Sequence, residues 1–315
     1  MSQIYVVTGA AGFIGSHIAE RLLRDGQRVR VIDNLITGRQ AHLDFLKSLN
    51  GDLSITIGSI TEPETLRPVF HNAEFALHQA ALPSVPRSIA DPLETHRHCV
   101  TGTLNVLIAA RDAGLTRLVY AASSSAYGDQ AGAAKVESMS PAPISPYGVA
   151  KLAGEHYASA FSNSYKMETV SLRYFNVFGP RQDPTSTYAA VIPKFITSML
   201  RRERPTIYGD GRQSRDFTYI DNVVHGNLLA CTAPKAVGET INLAGGGRIV
   251  INDLVAQLNA ILGTNLAPNY VAERPGDIKH SRADIAKARD LLGFEPIVSF
   301  EAGLRRTVEW YRERG

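Results

Sequence analysis

Along the first half of the chain, short apolar runs alternate with stretches in which apolar residues recur every three or four positions. Residues 4–7 form an unbroken β-branched and aromatic run, and from residue 13 onward Ile14, Ile18, Leu22 and Leu23 fall on one helical face. The alternation continues with strands over 28–32, 53–57, 75–79 and 117–122, a helical stretch beginning near Glu62, and a long helix from about residue 91 to 113. Strands that alternate with helices predict a parallel, doubly wound α/β sheet. A loop rich in Ala, Pro, Ser and Gly covers 129–146, a further helix opens at Tyr147, and a sixth strand covers 169–174. Beyond it the pattern changes. Helix over 189–202, short extended pieces over 206–208 and 215–218, a helix after Asp221 and a final helix over 299–314 predict a smaller mixed α/β lobe. The expected division is residues 1–175 for the sheet domain and 176–315 for the lobe, with about 220–245 returning to the sheet. No repeat or disordered linker separates them, so the two should pack tightly around a cleft.

Ligands of such sheets bind outside the carboxyl ends of the strands, which directs attention to the segments found there. The first strand breaks into Gly9-Ala10-Ala11-Gly12-Phe13-Ile14-Gly15 and then into helix. Gly9 allows the tight turn, Gly12 lets backbone N–H groups approach a pyrophosphate, and Gly15 lets helix and strand pack closely. The second strand ends in Asp33, about 20 residues downstream, where a carboxylate accepts hydrogen bonds from a ribose diol. That carboxylate repels a 2′-phosphate, and Asn34 rather than an arginine follows it. The expected cofactor is therefore NAD.

Tyr147 and Lys151 stand four apart at the start of a helix, hence one turn from each other on the same face. Hydride transfer from a secondary alcohol needs a base for the hydroxyl proton, and Tyr147 is the candidate. A phenol with an ordinary pKa of about 10 must be stabilised by roughly 4 kcal/mol to work near neutrality. The Lys151 ammonium and an oxidised nicotinamide ring are the two cations placed to supply it. Ser123, with Ser124 and Ser125 at the end of the preceding strand, would hold the reacting hydroxyl towards the tyrosine.

Composition removes several other classes. With 33 basic and 30 acidic side chains the formal charge is only +3, and the short basic runs near residues 201–204 and 305–314 are interrupted by glutamate, so nucleic acid is not an expected partner. Cys99 and Cys231 are too few for a disulfide scaffold, no export signal precedes the first strand, and no apolar run approaches the roughly 20 residues of a membrane span. A cytoplasmic location is expected. The nine histidines show no metal-binding spacing, and no metal is expected.

Together, the glycine turn, the Tyr147-x-x-x-Lys151 pair, the serine strand end, Arg173-Tyr174-Phe175-Asn176-Val177-Phe178-Gly179-Pro180, Arg215-Asp216-Phe217-Thr218-Tyr219-Ile220 and Arg274-Pro275-Gly276-Asp277 resemble the NAD-dependent epimerase/dehydratase family, the extended short-chain dehydrogenases. The resemblance covers nearly the whole chain. It is strongest to UDP-hexose 4-epimerases, and the runs His78-Gln79-Ala80-Ala81, Val85-Pro86-Arg87-Ser88 and Tyr188-Ala189-Ala190-Val191-Ile192-Pro193-Lys194 resemble the UDP-N-acetylglucosamine 4-epimerase branch. It implies a Rossmann sheet with a UDP-sugar-binding lobe, a cytoplasmic homodimer built from the helices that begin at Asp91 and Tyr147, and a reaction in which bound NAD oxidises C4 of the sugar and returns hydride to the other face of a 4-keto sugar.

By the same resemblance Ser123 and Tyr147 are the catalytic pair and Lys151 supports the phenolate and the nicotinamide ribose. Cofactor contacts fall to Gly9, Gly12, Phe13, Ile14, Gly15, Asp33, Asn34, Ser59, Ile60, Gln79, Ala80 and Ala81. Substrate contacts fall to Ser84, Ser124, Ser125, Asn176, Ala190, Val191, Tyr208, Arg215, Arg274, Asp277 and Ser281. Guanidinium forks on the diphosphate fit this assignment, since a firmly held UDP end lets the sugar turn without leaving. Ser124 and Ser125 stand where dehydratases and decarboxylases of the family carry an acid for the extra proton abstraction, which disfavours those reactions. Ser281 stands where epimerases restricted to small hexoses carry a tyrosine, leaving room for an N-acetyl group and favouring UDP-GlcNAc and UDP-GalNAc, with UDP-Glc and UDP-Gal also accepted. Two positions depart from the family pattern. Ser59 replaces an aspartate near the adenine amine and Cys99 replaces an asparagine beside the cofactor, which implies weaker NAD retention. A UDP-glucuronate 4-epimerase and a catalytically silent NAD-binding sensor are the alternatives that this reading leaves open.

Overall fold

A computed structural model describes residues 2–314 apart from 131, 133, 185–189 and 274–278. Its first half runs β1 (Ile4–Thr8), α1 (Phe13–Arg24), β2 (Arg28–Asp33), α2 (Gln40–Ser48), β3 (Leu53–Ile57), α3 (Pro63–Phe70), β4 (Phe75–His78), α4 (Val85–Ala90), α5 (Pro92–His96), α6 (Gly102–Asp112), β5 (Arg117–Ser123), α7 (Pro146–Tyr165) and β6 (Glu168–Tyr174). The second half runs β7 (Val177–Phe178), α8 (Val191–Leu200), β8 (Thr206–Tyr208), β9 (Ser214–Arg215), β10 (Thr218–Tyr219), α9 (Ile220–Thr232), β11 (Thr240–Leu243), β12 (Ile249–Val250), α10 (Ile251–Leu262), β13 (Asn269–Val271), β14 (His280–Ser281), α11 (Ala286–Leu292) and α12 (Phe300–Arg314).

Seven strands make the central sheet in the order β11-β6-β5-β4-β1-β2-β3, and every pairing is parallel. The β-branched run of β1 explains why both faces are covered. Val6 belongs to a core with Leu66, Val106 and Tyr120 on one side, and Val7 to a core with Ile18, Val31 and Leu172 on the other. Alternate side chains thus feed two layers of helices, as a buried parallel strand requires. From β1 the chain moves outward to β2 and β3, then returns across the sheet to β4, β5 and β6. The reversal leaves a crevice between the carboxyl ends of β1 and β4, the place where open α/β sheets bind ligands.

The second lobe has no core of its own. Phe178, Phe217, Tyr219, Leu254 and Leu304 continue the core that contains Val7, and Phe178 meets Phe217, Tyr219 and Phe300 at ring-centroid separations of 5.4–6.2 Å. Small sheets of two or three strands surround this cluster, with β9 between β12 and β14, and β8 beside β13.

Several elements differ from the sequence pattern. Residues 85–90, between a proline-rich stretch and the long helix, form α4, because Ser84 Oγ accepts the Arg87 N–H at 3.1 Å and Pro86 sits where a missing N–H costs nothing. The helix expected over 91–113 is α5 and α6 joined through a π-helical segment, Arg97–Thr101. α2, α10 and α11 fall where no element was singled out. No helix of the described residues is long and apolar enough to cross a membrane.

Candidate active site

The crevice between β1 and β4 opens into a cavity of about 740 Å³ that runs from Asp33 past the N-terminus of α1 to Tyr147 and Lys151. A second cavity of about 270 Å³ lies in the other lobe, and Val177 and Ala190 line both. The two are neighbours, the first against the sheet and the second in the mixed lobe.

At the sheet end the backbone is shaped into a cradle. Gly9 has φ +74°, and a Cβ there would lie 2.7 Å from Ala80 N and 2.8 Å from Ala80 Cα. No side chain caps α1, whose Ncap is Gly12, so its first N–H groups and the positive end of its dipole are directed at the cavity that Gly12, Phe13, Ile14 and Gly15 line. Asp33 holds its place by accepting the Ala11 N–H at 2.9 Å on one oxygen and the Leu35 N–H at 2.8 Å on the other. Each oxygen keeps a lone pair for a diol hydroxyl. Burial pushes this carboxyl upward, and the two N–H groups act against that. The donor set fits a dinucleotide: N–H groups for a pyrophosphate, a carboxylate for a ribose.

The other cofactor candidates surround this cradle. Asn34 and Ile60 line it, as do Gln79, Ala80 and Ala81 after β4. Ser59 turns its hydroxyl to Thr61 Oγ1 at 2.8 Å and accepts Asn34 Nδ2 at 3.4 Å, so it bears on the cavity through Asn34. Cys99 is fully buried in the π segment, and its Sγ accepts the Leu82 N–H at 3.4 Å, fastening the loop after β4. Beside it lies a hydrogen-bond chain whose direction can be read residue by residue. The Ala80 N–H donates to Thr8 Oγ1 at 3.1 Å, and Thr103 Oγ1 donates to the Cys99 carbonyl at 2.8 Å. His78 stands between the two hydroxyls, 2.7 Å from Thr8 and 3.0 Å from Thr103. With the Thr103 proton committed to Cys99, His78 Nε2–H must donate to Thr103, and Nδ1 must accept from Thr8. Burial pushes His78 down to about 3, which keeps the ring neutral and the chain intact.

At the junction of the two lobes, α7 brings Tyr147 and Lys151 against the end of β5. Gly148 makes the approach possible, since a Cβ there would lie 2.8 Å from the Ser125 carbonyl. Ser123 Oγ is 2.7 Å from Ser125 Oγ and accepts the Ser125 N–H at 3.2 Å, while Ser124 opens the 3₁₀ turn that follows. Burial pushes the Tyr147 phenol well above its ordinary range, the Cys99 thiol adds to the shift, and the nearby Ser123 hydroxyl opposes it. The Lys151 ammonium sits 4.3 Å from the Tyr120 ring centroid. Burial pushes Lys151 down to about 8, with Cys99 and Glu155 acting in the other direction. The backbone of α7 is fixed here by Tyr120 Oη, which donates to the Lys151 carbonyl at 3.2 Å, and by the buried Glu155–Arg173 pair at 2.7 Å.

The second cavity gathers Asn176, Ala190, Val191, Tyr208 and Arg215. Ser84 lines the first cavity instead. Ser281 lies directly opposite Arg215 in the parallel β14–β9 pairing. Arg274 and Asp277 lie outside the described residues.

Long-range contacts add residues that local pattern does not disclose. Arg39 and Asp183 form an ion pair and both line the first cavity, tying the loop after β2 to the segment after β7. Arg181 bonds Glu20 on α1 at 2.6 Å and lies over the Phe45 ring, anchoring the same segment. Tyr174 Oη is 3.2 Å from Gln79 Oε1 and 2.9 Å from Asn227 Oδ1, which fixes Gln79 at the cavity wall. Asp183 directly follows the quoted 173–180 run and Gln182, and its acidic side chain opposite the basic Arg39 is the one signal that could have found it.

The sequence model of the NAD dependent epimerase/dehydratase family matches residues 5–244. Among solved structures, a UDP-N-acetylglucosamine 4-epimerase from Methanobrevibacter ruminantium M1, in complex with UDP-N-acetylmuramic acid, superposes with a TM-score of 0.95 at 39% identity over 100% of this chain and 99% of that one. A UDP-glucuronic acid 4-epimerase from Bacillus cereus, in complex with UDP-glucuronic acid and NAD, gives a TM-score of 0.92 at 34% identity over 99% and 100%. A putative UDP-glucose 4-epimerase from Methanocaldococcus jannaschii is 33% identical over 98% of each chain.

Proposed function

This chain belongs to the NAD-dependent epimerase/dehydratase family, and from that premise we propose that it interconverts UDP-GlcNAc with UDP-GalNAc by C4 epimerisation, and accepts UDP-glucose and UDP-galactose as well. The observation that carries the reading is Tyr147 in the wall of the first cavity with the Ser123 hydroxyl acting on its phenol, flanked by Ser124 and Ser125 rather than by an acid. One hydroxyl proton can be removed and returned there, while a second abstraction at a neighbouring carbon has no carboxylate at those positions to perform it.

Bound NAD supplies reversible hydride acceptance at C4 of the sugar. Gly9, Gly12 and the open end of α1 hold its pyrophosphate, Asp33 its adenosine ribose, and Lys151 its nicotinamide ribose. Ser123 orients the C4 hydroxyl, and Tyr147 takes its proton and later returns it. Asn176 and Arg215, joined by Arg274 and Asp277, grip the UDP end, so the sugar can turn and present either face. Residues 1–175 serve chiefly the cofactor and 176–315 chiefly the UDP-sugar, with about 220–245 built back into the sheet domain.

The test is to incubate the purified enzyme separately with UDP-GlcNAc, UDP-Glc and UDP-glucuronate, without added cofactor, and to follow each by NMR. Interconversion of UDP-GlcNAc and UDP-GalNAc is expected. Turnover of UDP-glucuronate alone would replace this substrate assignment with the glucuronate one, and bound NAD without any turnover would point to a silent sensor. Ser281 supports the larger sugar through its place opposite Arg215, which lines the second cavity, at the position where, by the resemblance, small-hexose epimerases of the family carry a tyrosine. Ser281→Tyr is accordingly expected to cut kcat/KM for UDP-GlcNAc by about 10- to 100-fold while UDP-Glc changes by less than about threefold, since a filled pocket rejects a larger sugar more strongly than an enlarged one rejects a smaller.

The same reading includes a homodimer through α5 and α7. These helices pack together with α4 and leave Leu93 of α5 81% exposed, Val149 of α7 54% and Ile89 of α4 64%, and Val149 lines a shallow groove with Pro92, Val100 and Pro143. Contiguous exposed apolar surface of this kind is the mark of an interface. Leu93→Arg should convert the dimer to monomer in sedimentation experiments; an unchanged mass would move the interface elsewhere.

A further inference from the structure

We propose that Asp216 is a positioning residue for nucleotide recognition, a buried acid whose main chain and carboxylate together clamp the segments carrying Asn176, Arg215 and Ser281 and thereby set affinity for the UDP end of the substrate. This rests on the assignment of those three residues to the substrate. Asp216 takes no part in the chemistry described above and is completely inaccessible to solvent. It follows Arg215 directly, in the turn between β9 and β10.

Its backbone and one carboxylate oxygen tie two other segments of the lobe to the turn. Its N–H donates to the Ser281 carbonyl at 2.7 Å, and its carbonyl accepts Asn176 Nδ2 at 3.0 Å. Asn176 itself has φ +34°, a conformation that needs outside support. The carboxylate Oδ2 accepts the Ala283 N–H at 3.1 Å. Oδ1 has no hydrogen bond of ordinary geometry, although the N–H groups of Gly245 and Gly247 act on the carboxylate, and a Cβ on Gly245 would come within 3.3 Å of Oδ1. The segment between β6 and β7 and the strand β14 thus meet the main chain of Asp216, while the continuation of β14 and the turn after β11 meet its carboxylate.

A buried carboxylate without an ion pair is costly, and the arrangement asks what the charge achieves. Here it is held by backbone N–H dipoles, with the exposed Arg282 guanidinium as the cation that acts on it. Burial pushes the carboxyl up to about 7 against these groups. A neutral amide of the same shape would present an NH₂ to at least one of the N–H groups now facing an oxygen, and donors facing donors would part. The displacement would pass to Ser281, Arg215 and Asn176, which are bonded or adjacent to the same residue. The Ser123–Tyr147 junction, on other elements, would be untouched.

The experiment compares NAD-loaded wild type and Asp216→Asn. The expected result is a tenfold or greater rise in KM for the UDP-sugar and in Kd for UDP measured by calorimetry, with kcat reduced by less than threefold and NAD content unchanged. A fall in kcat with KM preserved would overturn the proposal. So would a wild type that binds UDP alongside a folded variant that binds it within twofold, and this leaves the epimerase reading standing. A wild type that neither binds UDP nor turns over any UDP-sugar would overturn that reading and this proposal together. If the variant does not fold, hydrogen exchange on the wild-type holoenzyme decides: added UDP should slow exchange jointly in 214–219, 243–248 and 281–284, and protection absent from the latter two segments counts against the clamp.

Discussion

Replacing Tyr147 by Phe is expected to lower kcat for epimerisation by about 10³-fold, with KM for the UDP-sugar changed by no more than a few-fold and with NAD still bound after purification. The ring volume is kept and only the oxygen is lost, so the packing of α7 against β5 survives. What disappears is the phenolic hydroxyl of a residue that lines the first cavity. Burial raises the phenol in this geometry, so proton removal depends on cationic charge delivered when the cleft is filled, and the wild-type reaction should slow as pH falls. Single-turnover kinetics on the variant measure the effect. A loss below about tenfold would remove Tyr147 from the role assigned to it.

Lys151→Met is the second large effect, with opposite consequences for activity and stability. Activity should fall by about 10²-fold or more, because the positive charge beside the nicotinamide ribose is gone. In the wild type that charge is itself lost as pH rises through about 8, so the high-pH limb of the rate profile should be present in wild type and missing in the variant. Stability goes the other way. The folded pKa lies below the unfolded 10.5, so between about 8 and 10.5 the unfolded chain binds more protons and stability rises with pH; below about 8 the full penalty applies, on the order of 3 kcal/mol. The penalty is partly offset by the Tyr120 ring. Cofactor-stripped Lys151→Met should therefore melt a few degrees above stripped wild type at pH 7, with the difference gone above pH 10.5. A lower melting temperature would show that the lysine is a structural anchor.

The cradle and the Tyr147–Lys151 pair were legible because each is written in adjacent or helically spaced residues: three glycines between a strand and a helix, and two side chains four apart. The alternation of patterns likewise led to the doubly wound sheet. Other features had no local signature. β9, β10, β12 and β14 are two residues each, too short for a period to show. Gln79, just after β4, and Asn227, on α9, are 148 residues apart and meet only in the folded chain. The direction of the Lys151 ammonium depends on Tyr120, a β5 residue that the strand pattern marks only as core. Asp216 sits inside a motif that was noticed for its arginine, and its burial is a property of three converging segments.

The π segment before α6 has an implication for how this helix can change over time. A π turn holds one residue more than an α turn, so the chain from Gly102 onward is rotated by about 100° relative to an uninterrupted helix. Cys99 can then face the Leu82 amide while Thr103 still faces both His78 and the Cys99 carbonyl. Loss of one residue there would scarcely shorten the helix, yet it would swing Thr103 out of phase, and His78 would lose the acceptor that fixes its tautomer. The helix is locked in angle more tightly than in length, so substitutions on its outer face are tolerable where a single deletion is not.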